Sequence, residues 1–137
     1  MRILCIDYGE KHIGLAVSDP LLATAQPLDY YRSINKKEDL NYFRKLIDTY
    51  AINKIVIGLP LEMDGKEGTQ SEKTKRFALR LEKELKLPII FWDERLSTKQ
   101  ALHILFEQKA DIQQKRKNKD KISAAIILSS YLESLRK

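Results

Sequence analysis

One cysteine in 137 residues, Cys5, leaves no internal disulfide, and no Cys or His spacing matches a metal cluster. No apolar run approaches the roughly 20 residues that a membrane span requires. The opening MRILCIDYGE meets an acid after four apolar residues, too soon for a secretory signal, which also needs a small-residue cleavage site. The phosphate loops GxxxxGK[ST] and GxGxxG are missing, and so are HExxH and the nucleophile motif GxSxG. The two histidines, His12 and His103, share no motif. These absences point to a cytoplasmic, reduced chain whose chemistry does not rest on zinc, a disulfide or an activated serine.

What is present is ordinary globular material. Hydrophobic residues make up 43% and charged residues 32% of the chain, enough for a real core, and the length suits one domain over 1–137. Twenty-five Lys and Arg against 19 Asp and Glu give a net charge of +6. A small basic domain associates with polyanions, and the same moderate charge also serves solubility.

The hydrophobic pattern predicts a mixed α/β fold in the order β-β-β-α-β-α-β-α-α. Residues 2–7 form an apolar run ending in Asp7, as expected of a strand covered on both faces. Gly9–His12 suits a hairpin, after which Ile13, Leu15 and Val17 alternate as a second strand. A third strand is expected from about Gln26 to Arg32. Leu40, Phe43, Ile47 and Tyr50 recur at helical spacing. Lys54–Pro60 reads as a buried strand stopped by Gly58 and Pro60, and Leu61–Gly68 as a loop. Thr69-x-x-Glu72 has capping-box spacing before a helix carrying Phe77, Leu81 and Leu85. A fifth strand, Pro88–Trp92, ends in Asp93-Glu94-Arg95. Ser97-x-x-Gln100 opens a further helix with Ala101, Ile104 and Leu105, and a charged loop, Lys109–Lys119, leads to a last helix reaching about Leu135. That last helix is apolar nearly all round, with small residues Ser123, Ala124 and Ala125 allowing close approach to the sheet.

Chemistry is left to acids at element ends. Taken singly each has an ordinary explanation: Asp7 as a turn residue, Glu94 as an acid paired with Arg95, Asp120 as a cap or dipole partner of the last helix. Taken together they converge. Strands one, four and five running parallel would bring Asp7 and Glu94 to the sheet edge where α/β proteins bind ligands, and the last helix could deliver Asp120. Converging carboxylates call for a cation, and hard oxygen ligands suit Mg²⁺ or Mn²⁺. Two such ions about 3.5–4 Å apart would serve phosphodiester hydrolysis. Nearby, residues 115–121 hold five basic side chains against one acid, either a solvated loop or a phosphate-binding segment. Tyr8, Tyr30, Tyr31 and Trp92 could stack on bases or pack in the core.

The blocks Asp7-Tyr-Gly…Ile13-Gly-Leu-Ala-Val-Ser-Asp19, Gly58-Leu-Pro60…Asp64-Gly65…Gly68-Thr-Gln-Ser-Glu72, Asp93-Glu-Arg95…Ser97-Thr98…Ala101 and Asp120…Ser123-Ala-Ala-Ile-Ile-Leu128 resemble the YqgF (RuvX) family. Its members are described as pre-16S rRNA nucleases, and Holliday junction resolvase is their older name. The likeness runs in order over essentially the whole chain. It implies an RNase H-like fold with a five-stranded mixed sheet ordered 3-2-1-4-5. It also implies an acidic site of Asp7, Glu94 and Asp120 that binds Mg²⁺ or Mn²⁺ and trims the 5′ end of the small-subunit rRNA precursor. The expected nucleic-acid contacts are Lys11, His12, Arg95, Lys115, Arg116, Lys117 and Lys119. His12 stands where the family has Arg, and Lys119 where an apolar residue is usual.

Three readings follow. The first is a metal-dependent nuclease acting on precursor rRNA or on branched DNA, as a monomer or homodimer. The second is a non-catalytic nucleic-acid-binding module. The third is an actin-like ATP binder, since DxGxxxIGxA also resembles that superfamily's first phosphate motif; such proteins close two related domains on the nucleotide, and this chain has room for one.

Overall fold

The structure, a computed structural model, describes residues 1–9, 11–61, 64–96 and 119–136, with side chains in the last segment described from 122 onward. Five strands form one sheet: β1 (Arg2–Asp7), β2 (His12–Ser18), β3 (Ala25–Arg32), β4 (Ile52–Leu59) and β5 (Ile89–Asp93). Their order is β3-β2-β1-β4-β5, as the resemblance implies, and the sheet is mixed, as the sequence pattern predicts. β1 pairs antiparallel with β2 and parallel with β4, and β5 extends the sheet parallel to β4. Helices α1 (Lys36–Tyr50), α2 (Thr69–Leu85) and α3 (Lys119–Leu135) cover it. Among the described residues no helix is long and apolar enough to cross a membrane.

Because strand side chains alternate between faces, β1 serves two cores at once. Leu4 and Ile6 join Ile13, Leu15, Ile55 and Ile57 beneath α1 and α2, with Phe43 and Phe77 filling the centre. Ile3 and Cys5 point the other way and join Ala16, Val56 and the α3 residues Ala124, Ile127, Leu128 and Tyr131. Cys5 is a buried free thiol in that second core. α3 lies across β1 to β4, which explains its apolar circumference.

Helix ends follow local chemistry. Asn35 caps α1 by accepting a 2.8 Å hydrogen bond from the Glu38 amide, and Ala51 closes it in the left-handed conformation. The expected capping box of α2 does not form. Gly68 occupies the N-cap, Thr69 is already the first helical residue, and no side-chain cap bond is made. Gly58 differs too: it lies inside β4, opposite Trp92, and the strand continues to Leu59. Asp19, the last acid of the first sequence block, organises a turn, accepting from the amides of Leu21, Ala23 and Thr24. Those bonds hold its carboxyl below the usual range.

The Ser97–Gln100 capping box, the helix around Ala101–Leu105, His103 and the basic residues Lys115, Arg116 and Lys117 lie outside the described residues.

Candidate active site

Asp7 is the last residue of β1, and alternation from Ile3 and Cys5 turns its side chain to the α3 face. There Ser123 Oγ donates a 2.7 Å hydrogen bond to Asp7 Oδ2. The sequence pattern expects Ser123 only to allow close packing; its hydroxyl instead holds the strand-end acid. Room for this contact comes from Gly14, which pairs with Asp7 across β2. A Cβ at Gly14 would stand 3.3 Å from both Asp7 Cβ and Ser123 Oγ.

Glu94 begins a short 3-10 turn, Glu94–Leu96, directly after β5. β5 does not neighbour β1; β4 lies between them, so the two strands are about 10 Å apart at ordinary sheet spacing. Glu94 crosses this gap over Gly58. A Cβ there would lie 2.8 Å from Glu94 Oε1 and 2.7 Å from Ile127 Cδ1, distances that real side chains do not tolerate. The missing side chain is therefore the passage through which Glu94 reaches Asp7, and the two carboxyls hydrogen-bond.

The electrostatics follow from that contact. Burial, then the charge and hydrogen bond of Asp7, then Asp93, push the Glu94 carboxyl up to about 8. One proton is thus kept between two acids. Cys5 below them feels the same field: burial first, then Asp7 and Glu94, raise its thiol well above its ordinary value. Two carboxyl groups brought together in a half-buried site form a donor set that fits a hard divalent cation. Among the described residues no group of three metal-ligating side chains comes together. Asp120, the third acid expected, is the second residue of α3, one helical turn before Ser123, and its side chain lies outside the described residues.

The expected partner of Glu94, Arg95, is engaged elsewhere. Its guanidinium clamps Asp93, with Nη2 to Oδ2 at 2.7 Å, and lowers that acid below its ordinary value. His12 and Lys11 are exposed at the start of the β2 hairpin arm. His12 lies on the same sheet face as Gly14, with its ring 4.8 Å from that of Tyr30. Gly9 allows the turn to close, since a Cβ there would stand 2.4 Å from the His12 carbonyl oxygen. Lys119 begins α3 rather than ending a loop. Of the four aromatics able to stack on bases, three are half-buried with one face on another ring: Tyr8 on Phe77, Tyr31 on Tyr42 and Trp92 on Tyr131. Tyr30 remains exposed.

The sequence model of the RuvX family, described as Holliday junction resolvase, matches residues 1–134. The chain belongs to the RuvX family. Relatives carrying the name "Putative pre-16S rRNA nuclease" include one from Syntrophus aciditrophicus (strain SB), 46% identical over 135 residues, covering 98% of this chain and 90% of that one. Another, from Geobacillus kaustophilus (strain HTA426), is 44% identical over 140 residues and covers 99% and 100%. Two solved structures share the fold of this RuvX-family chain at low identity. T. thermophilus RuvC in complex with a Holliday junction substrate has a TM-score of 0.64 at 14% identity, covering 99% of this chain and 95% of that one. The fowlpox virus resolvase in complex with Holliday junction DNA gives 0.60 at 20%, with 100% of both chains covered. The fold is that of the RNase H-like resolvases.

Proposed function

We propose that this chain, a nuclease by family, is a divalent-metal-dependent endonuclease that trims the 5′ end of pre-16S rRNA at the Asp7–Glu94 cleft. One observation carries the reading: two carboxyls far apart in sequence hydrogen-bond across a strand whose only glycine there, Gly58, clears the way. Bringing two acids together in a half-buried site costs free energy unless a proton or a cation joins them, and a cation between them is what phosphodiester hydrolysis would use. In this reading Asp7, Glu94 and Asp120 hold Mg²⁺ or Mn²⁺, which when bound supplies an activated water and a counter-charge for the leaving oxygen.

The chain's own groups do the positioning. Ser123 Oγ, by donating to Asp7, orients that carboxylate. Glu94, which holds its proton up to about pH 8, would have to release it in order to act as a ligand to a divalent cation. Gly14 and Gly58 keep the floor open. Arg95, locked to Asp93, sits at the rim as a fixed positive group for a backbone phosphate. Lys11, His12, Lys119 and the segment with Lys115, Arg116 and Lys117 supply the remaining phosphate contacts in this reading.

The names of the relatives favour RNA as substrate, while the family description and the two resolvase structures keep branched DNA as the alternative. The test is cleavage by purified protein of a precursor rRNA fragment and of a four-way DNA junction, with Mg²⁺, with Mn²⁺ and with chelator. Ion-dependent cutting of the RNA that disappears in Asp7→Asn, while binding persists, is the expected result. Undiminished turnover in that variant removes Asp7 from the mechanism, and faster cutting of the junction makes the chain a resolvase. Binding without cutting under every ion makes it a binding module.

A further inference from the structure

The opposite side of the same sheet edge carries a second feature that the catalytic reading does not use. A groove of about 520 Å³ runs between the start of α1 and the outer face of α2. Among the described residues five cations line it, Lys36, Lys73, Arg76, Arg80 and Lys83, and no acid does. Four of the five lie on α2 at steps of three, four and three residues, which makes one continuous stripe about 15 Å long. An adjoining hollow of about 410 Å³ shares Lys36, Arg80 and Lys83 and includes two acids, each already engaged. Glu84 pairs with Arg44, and Asp39 accepts from Ser33 and from the Ile34 amide.

The apolar lining among the described residues is Tyr8 and Phe77 on the sheet side of α2 and Leu79 on its outer side. Leu79 is 69% exposed on a helix whose other outward positions are almost all polar, and the Tyr8 ring lies 4.3 Å from that of Phe77. Cations in a row beside aromatic and apolar side chains are the two halves of a single-strand binding site, in which phosphates take the charges and unstacked bases take the apolar groups. A duplex could use only the charges, because its bases are stacked away.

Position links the groove to the acids. Asp7 and Tyr8 are consecutive, and strand alternation sends Asp7 to the α3 face and Tyr8 to the α2 face. A strand held at Asp7 therefore needs only to pass over the sheet edge to enter the groove at Tyr8. We propose that the α1–α2 groove binds single-stranded RNA flanking the scissile phosphate, with its backbone on the α2 cations and a base against Tyr8 and Leu79. The location of the scissile phosphate rests on the function proposed above; the single-strand site itself does not.

The test measures fluorescence anisotropy of a short 5′-fluorescein-labelled single-stranded RNA, and of the same sequence as a duplex, against wild type and variants. Arg76→Gln with Arg80→Gln keeps helix propensity and side-chain length while removing two charges. It should weaken single-strand binding about tenfold and lower the slope of log affinity against log salt by about 1.4, two phosphates' worth for single strands. Leu79→Ser, at an exposed position, should weaken the single strand while leaving the duplex unchanged. Asp7→Asn should bind the single strand as wild type does. In cleavage, the paired Gln variant should raise KM for a substrate with a single-stranded flank and leave kcat unaltered. Unchanged affinity and salt slope in the Gln variant overturn the groove, as does equal weakening of single strand and duplex in both the Gln and Ser variants. If the wild type cuts nothing while the Gln variant still loses single-strand affinity, the nuclease reading fails and the groove stands. If the wild type cuts and the Gln variant binds and cuts normally, the reverse holds.

Discussion

The two faces of the sheet are built to opposite specifications, although the same strands supply both. Under α1 and α2 the strands present Leu4, Ile6, Ile13, Leu15, Ile55 and Ile57, and two phenylalanines close the layer. Under α3 the outer end of the same strands presents Gly14, Asp7 and Gly58, and the helix answers with Ser123 and Ala124. Large side chains exclude water and stabilise, whereas small ones leave a hollow that two carboxyls enter. The first face spends its positions on packing, while the second packs Ile3, Cys5 and Val56 on α3 and gives only its outer end to chemistry, so substitutions at Ile55 and at that outer end should separate stability from turnover.

The largest stability effect belongs to the packed face. Ile55 is fully buried on β4 beneath α1 and α2, so Ile55→Ala should cost about 2–5 kcal/mol in chemical denaturation. The folded fraction should keep its kcat. A loss of turnover beyond the loss of folded protein would erase the division between the faces.

Gly58→Ala comes next and should invert the pattern. The added methyl meets Ile127 and Glu94 at under 3 Å, which costs about 1–3 kcal/mol as overpacking. Cleavage should fall at least about tenfold, because Glu94 must swing away from Asp7, and a tenfold loss corresponds to about 1.4 kcal/mol in the barrier. Normal turnover in this variant would mean that Glu94 does not act over Gly58.

A smaller effect concerns pH. In the unfolded chain Glu94 ionises near 4.5, whereas in the folded chain it keeps its proton up to about 8. Between those values the folded state binds the extra proton, so the stability of the metal-free protein falls as pH rises through that window. Thermal melts in chelator from pH 5 to 8.5 should show Tm declining by a few degrees, less steeply in Asp7→Asn, with Mg²⁺ restoring part of the loss at the upper end. A Tm that climbs over this range would contradict a shared proton.

The smallest expected change is Ser123→Ala. Losing one hydrogen bond to a charged, half-buried acid should cost about 1–2 kcal/mol or less in stability and reduce cleavage a few-fold, with Ser123→Thr recovering part of both. If Thr recovers stability alone, Ser123 serves packing and not the orientation of Asp7.

Much of this arrangement is legible in one dimension. The apolar run that ends in Asp7 and the alternation Ile13, Leu15, Val17 report burial directly, because a strand's side chains must match the faces they meet. The parallel placement of β1, β4 and β5 follows from helices intervening between strands. What misleads are signals with two local explanations. Thr69-x-x-Glu72 has the spacing of a capping box, yet Gly68 takes the cap, since spacing alone does not say where the helix starts. Gly58 reads as a strand stop, and Ser123 as packing, because their importance lies in what crosses above them.

The chain's own order of residues determined which segments are strands, which are helices, and that acids close two of the strands, since those properties depend on neighbours a few residues away. Only the tertiary structure decided that Glu94 turns from the adjacent Arg95 to the distant Asp7, while Arg95 takes Asp93. The reason is geometric. Sheet order sets β4 between the two acids, and whether they can touch depends on the side chain of a third strand, which no local pattern around either acid encodes.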